Sequence, residues 1–150
     1  DVSLHGVTDL HAPLPSGKPL RYTIFLVSAG GIRFCHLGDN RADLPEDVRQ
    51  AIGKVDVLMA PVDDSRHLLS FDEVDELVGV LEPRVVVPTH YYIPGITTEE
   101  STLLPPEEWL RRQSAVRVLQ SETVSFSPRM LPPRREVWVM RASVSDRPGD

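Results

Sequence analysis

Gly31-Ile32-Arg33-Phe34-Cys35-His36-Leu37-Gly38-Asp39 and Pro83-Arg84-Val85-Val86-Val87-Pro88-Thr89-His90 are two short apolar runs, each ending on a residue able to bind a metal ion. Apolar runs of this length bounded by Gly or Pro read as strands. Strands that stop at a carboxylate and at an imidazole resemble two walls of a site, and the segments around them decide the fold.

Upstream, residues 21–29 (RYTIFLVSA) are rich in β-branched and aromatic side chains, and Gly30-Gly31 is a tight hairpin signal, so 21–29 and 32–37 form a β-hairpin. Residues 2–7 alternate weakly enough to be a strand, followed by a polar, Pro/Gly-rich loop from Thr8 to Pro19 that can lie over a site. Downstream, 45–52 (PEDVRQAI) opens on Pro-Glu-Asp and closes on Gly53, the start and stop signals of a short helix. Residues 55–61 (VDVLMAP) are a nearly continuous apolar strand, and Asp63-Asp64-Ser65-Arg66-His67 a loop. Ser70 caps the next helix, Glu73 completes a capping box, and Phe71, Val74, Leu77, Val78 and Leu81 give it one apolar face. Pro83 stops that helix before the strand that delivers His90.

Strand, helix, strand, helix, strand is the pattern of a layered α/β sheet, whose ligands sit at the carboxyl ends of the strands. Asp39, Asp63 and His90 all fall at such ends. Beyond them come a long loop over 91–104, a short helix over 106–112, and three short closing strands at 116–119, 123–126 and 136–140. The expected domain is 1–142, with 143–150 a polar, frayed tail.

Composition narrows the function. The chain has 150 residues, 41% hydrophobic and 25% charged, enough for one domain with its own core. A net charge of −6 without a basic cluster argues against nucleic acid or an anionic membrane surface as partner. No apolar run approaches the roughly 20 residues of a bilayer span, and the expected compartment is the cytoplasm. The single cysteine, Cys35, excludes an internal disulfide and reads as a small buried hydrophobe. The first residue is Asp1 rather than Met, and the strand pattern begins at once, so a preceding segment is expected.

Asp39 reads either as a turn or cap residue or as a ligand, and His90 either as a backbone-bonded imidazole or as a ligand. His11 follows the first strand whereas His5 lies inside it, which favours His11 over His5 for ligation; His36, by alternation, favours core packing. His67 is a candidate for touching substrate, or else part of a solvated acidic loop. His11, Asp39 and His90 together suit zinc, manganese or iron, and a carboxylate between two imidazoles can bridge two ions about 3.5 to 4 Å apart. Gly-x-Ser-x-Gly, Walker and Gly-x-Gly-x-x-Gly motifs are absent, so no nucleophile elbow or phosphate loop competes.

The ordered set GIRFCHLGDN, VDVLMAPV and FDEVDELVGVLEPRVVVPTHY resembles the second half of the metallo-β-lactamase fold hydrolases, especially the branch that includes ascorbate-6-phosphate lactonase, over roughly residues 1–140. The resemblance implies an αββα sandwich of which this chain holds mainly the second mixed sheet with its helices. In GVTDLH it makes His11 a ligand of a first metal, Asp39 the bridge and catalytic carboxylate, and His90 a ligand of a second metal. It also implies attack of metal-activated water on an ester, lactone or phosphodiester of a small-molecule substrate. Asp63, His67 and the loop over 91–98, Tyr91 included, would shape the pocket.

The family's His-x-His-x-Asp-His motif does not occur here. The expectation is therefore weak or no metal binding and negligible hydrolysis by this chain alone, with two zinc ions in the complete protein. An incomplete sandwich also leaves an apolar sheet face for a missing N-terminal half or a second copy. The alternative reading is a non-catalytic α/β module that binds a partner or itself through that face.

Overall fold

The computed structural model describes residues 1–10, 20–64, 68–98 and 100–142. Among them, seven strands form one mixed sheet in the order β1-β2-β3-β4-β5-β7-β6. These are β1 (Val2–Leu10), β2 (Arg21–Ala29), β3 (Ile32–His36), β4 (Val57–Pro61), β5 (Val85–Thr89), β6 (Val116–Val118) and β7 (Glu136–Val139). The first three pair antiparallel, and the pairs from β3 onward are parallel. Three helices interrupt them: α1 (Glu46–Ile52), α2 (Phe71–Leu81) and α3 (Glu107–Arg112). None of the described helices is long and apolar enough to cross a membrane.

Local chemistry accounts for most boundaries. Gly30 and Gly31 both take positive φ, +57° and +79°, as a tight hairpin twisted like its strands requires. The Ser70 side chain accepts from Glu73 N–H, and the Glu73 carboxylate takes the Ser70 N–H at 2.7 Å, so the capping box closes the first turn of α2. Asp64, itself left-handed at φ +48°, accepts the Phe71 N–H at 3.1 Å and satisfies a further orphan donor of that turn.

The helices and one sheet face share a single core containing Ile24, Leu26, Cys35, Leu58, Val86, Val74, Leu77 and Trp109. Trp109 is fully buried, and its indole N–H donates to Asp75 at 2.9 Å, which ties α3 to α2. Cys35 is buried in this core and burial pushes its thiol up to about 12, with Arg33 opposing the shift.

Two strand expectations fail locally. The strand β1 does not stop at Val7 but runs to Leu10, because Thr8, Asp9 and Leu10 pair with Thr23, Tyr22 and Arg21 of β2. Residues 123–126 form no strand. They lie over the opposite face of the sheet, where Val124 and Phe126 pack with Ile32, Val57, Val85 and Trp138. Phe126 stacks on Trp138 at 5.2 Å and meets Phe34 edge-on at 5.4 Å. Arg84 fixes this cover, donating to the carbonyls of Pro132 and Leu131 at 2.8 Å each.

That cover shields only part of the second face. Toward β1 and β2 the same face stays open, with Leu4 67% and Phe25 46% exposed. By register His36 stands across from Phe25 and beside Met59. The core position expected for His36 is therefore wrong: it is exposed, since Cys35 and not His36 takes the inward phase of β3.

Candidate functional site

The parallel pairing of β3, β4 and β5 brings three chain ends to one edge. Leu37 N–H donates to Met59 C=O at 3.0 Å, and Val62 N–H to Thr89 C=O at 2.9 Å. Asp39, Asp63 and His90 follow within two residues of these bonds, so main-chain register sets their neighbourhood. Gly38 turns the chain toward Asp39 at φ +63°, a conformation that strains any residue with a side chain. The fully buried Asn40 donates through Nδ2 to Leu37 C=O and braces this turn, while its Oδ1 is buried with no hydrogen-bond partner among the described residues.

Asp63 and His90 form the tightest part of the arrangement. The Asp63 side chain is 0% exposed, and its Oδ2 lies 3.3 Å from His90 Nδ1, whose side chain is 31% exposed. This separation suits an ion pair and exceeds the roughly 2.7–2.9 Å of a tight charge-assisted hydrogen bond. His90 is left-handed at φ +52°, a rare conformation for a residue with a Cβ. The Asp63 carboxylate raises the His90 pKa above its ordinary value; burial opposes that, and the charges of Asp63 and Asp39 add to it. Asp39 thus lies within electrostatic reach of His90.

Asp39 also borders an open depression of about 700 Å³ over the uncovered sheet face, together with Arg21, Thr23, Phe25, His36 and Met59. Apolar side chains such as Phe25, Val27 and Met59 and polar ones such as Thr23, His36 and Asp39 line it together. The end of β1 is held to this edge by Arg41. Its N–H donates to Leu10 C=O at 3.2 Å, and its guanidinium grips the Asp9 carboxylate with two bonds of 3.0 Å.

The structure brings Asp39, Asp63 and His90 together. His11 and His67 lie outside the described residues. Tyr91 does not line the depression; burial raises its phenol pKa first, and Glu107 of α3 adds to the shift. Sequence reasoning gave Asp63 a place against substrate but missed its full burial beside His90. It also passed over Asp9 and Arg41, which are 32 positions apart and share no motif.

For a resident metal the described residues supply donors of the right chemistry in Asp39 and His90. Among them, however, no group of three or more His, Cys, Asp or Glu side chains is placed to hold an ion. A catalytic zinc takes three protein ligands. The described set alone does not fit one.

Comparison with known proteins follows the same lines. Residues 1–90 match the family model described as the beta-lactamase superfamily domain. A candidate zinc-dependent hydrolase of the metallo-β-lactamase superfamily from Thermotoga maritima superposes with a TM-score of 0.73 at 27% identity, over 93% of this chain and 64% of its own. The metallo-β-lactamase fold protein YhfI from Bacillus subtilis shares the fold at 9% identity, TM-score 0.50, over 95% of this chain and 48% of its own. So does the β-hydroxylase CmlA, at 13% identity and TM-score 0.53, over 91% of this chain and 29% of its own. The chain thus spans less than two thirds of the length of each of these structures. No curated protein matches the sequence.

Proposed function

The chain belongs to the beta-lactamase superfamily, and from that premise we propose that it forms the C-terminal part of a metal-dependent hydrolase acting on an ester, lactone or phosphodiester. The observation that supports this most is the placement of Asp39 and His90, 51 positions apart in sequence, at the carboxyl ends of the parallel strands β3 and β5 on either side of β4. A left-handed backbone at His90 fits the same reading, since such strain collects at functional sites.

In this proposal Asp39, His90 and His11 would help to hold the metal. The remaining donors come from outside the described residues. Bound metal, zinc or else manganese or iron, would supply Lewis-acid polarisation and an activated water. The chain's own contribution is orientation: Gly38 and Asn40 aim Asp39, register and Asp63 hold His90, and the depression beside Asp39 admits a small substrate.

The open face over Leu4, Phe25, Val27 and Met59 would be covered by the complementary half of the superfamily sandwich, or by a second copy. Metal analysis and zinc titration of this chain, with hydrolysis assays on ester, lactone and phosphodiester substrates, test the proposal. Weak zinc binding lost in His90→Ala, with negligible turnover, is expected. Stoichiometric tight zinc with real turnover by this chain alone would sink the idea that half the site lies elsewhere.

The same exposed apolar strip favours a second reading, a non-catalytic module that docks a partner. Partner binding that survives Asp39→Ala, with no metal bound in any context, would select it.

A further inference from the structure

We propose that Asp63 is a positioning residue that fixes His90 in the tautomer carrying its proton on Nδ1, so that Nε2 is the nitrogen left to bind an ion or accept a proton. Neutral imidazole has one donor and one acceptor nitrogen, and an ionised carboxylate can only accept. With Asp63 Oδ2 at 3.3 Å from Nδ1, a contact outside hydrogen-bond geometry, it is the carboxylate's charge that favours a proton on Nδ1 over a lone pair facing it.

Three further features support the assignment. Asp63 is 0% exposed, and a carboxylate taken fully out of water needs a proton donor or cation beside it. The pairing of Pro61 with Thr89 and the Val62–Thr89 hydrogen bond of 2.9 Å fix the two backbones just before Asp63 and His90, so the approach is imposed by the sheet rather than by flexible side chains. Its neighbour Asp64 is committed elsewhere, to the first turn of α2, which leaves Asp63 as the carboxylate of that loop turned to the imidazole. A carboxylate behind a histidine is a recurrent way to set ring orientation and basicity.

The catalytic meaning of this contact rests on the metal-hydrolase proposal above, whereas the tautomer does not. Long-range proton–nitrogen correlation spectra of the metal-free protein at alkaline pH read the two ring nitrogens of His90 directly. The expected wild-type pattern is protonated Nδ1 with a bare Nε2. Asp63→Leu keeps the site filled but removes the acceptor, and should shift His90 toward the Nε2–H form while leaving the exposed His36 unchanged.

Wild-type His90 found with its proton on Nε2, or a folded Asp63→Leu protein with His90 unchanged, would overturn the proposal. Should that variant not fold, the wild-type spectrum alone still decides. In a parallel titration with zinc alone, Asp63→Leu should weaken affinity roughly 10- to 100-fold. Zinc affinity unchanged in Asp63→Leu would refute a role for this contact in metal binding and leave the tautomer result standing.

Discussion

Replacing Arg41 by Gln should loosen the edge of the sheet that carries Asp39. The guanidinium makes two 3.0 Å bonds to Asp9, whose side chain is 5% exposed, while Arg41 itself is 23% exposed. Breaking a buried pair by removing one partner costs about 3–5 kcal/mol, and an exposed pair is worth about 0–1 kcal/mol. With one partner buried and the other a quarter exposed, a cost of about 2–3 kcal/mol is expected, mostly from the stranded Asp9 carboxylate. For a chain of this length that corresponds to a fall in Tm of about 4–12 °C.

Urea denaturation of wild type, Arg41→Gln, Asp9→Asn and the double variant closes a cycle. Because the double change leaves no stranded charge, it should cost less than the two single changes added together, with a coupling of at least about 1 kcal/mol. Additive single effects, or an Arg41→Gln loss below about 0.5 kcal/mol, would refute the claim that this pair pins the end of β1 to the Asp39 turn. Hydrogen exchange at the Arg41 amide, which donates to Leu10, should speed up in Arg41→Gln if the pin is real.

Trp109→Ala should cost about 3–5 kcal/mol, because it empties a fully buried indole site and leaves Asp75 without that donor; chemical denaturation measures it, and a loss under about 1 kcal/mol would contradict the packing of α3 on α2. Cys35, buried and held at about 12, should resist thiol reagents at mildly alkaline pH in the native protein and react fully once unfolded; rapid native labelling would show that the core opens easily. His90 should titrate by NMR above about 6.5, its ordinary value. Its folded pKa is raised, so the Asp63–His90 contact stabilises fully below the unfolded value and that contribution fades as pH rises through the folded one. A midpoint below about 6.5 would reverse that sign.

Much of the fold was legible in the sequence because its signals are local. Gly30-Gly31 needs left-handed backbone, Ser70 and Glu73 bond across a single turn, and the apolar spacing from Phe71 to Leu81 depends only on helix period. The ends of strands at Asp39 and His90 could be read for the same reason: an apolar run that stops on a ligand type is visible in ten residues. Tertiary structure decided the rest. Thr8–Leu10 became strand because β2 offered partners, and residues 123–126 became a cover because Phe34 and Trp138 offered rings. Asp63 and Asp64 look alike in sequence, yet one caps a helix and the other is buried beside His90, and only the parallel register of β4 with β5 separates them. Local propensity fixes which segments extend or coil; which side chains meet depends on pairings between segments far apart in the chain, and those are set by shared burial and main-chain hydrogen bonds that no short window contains.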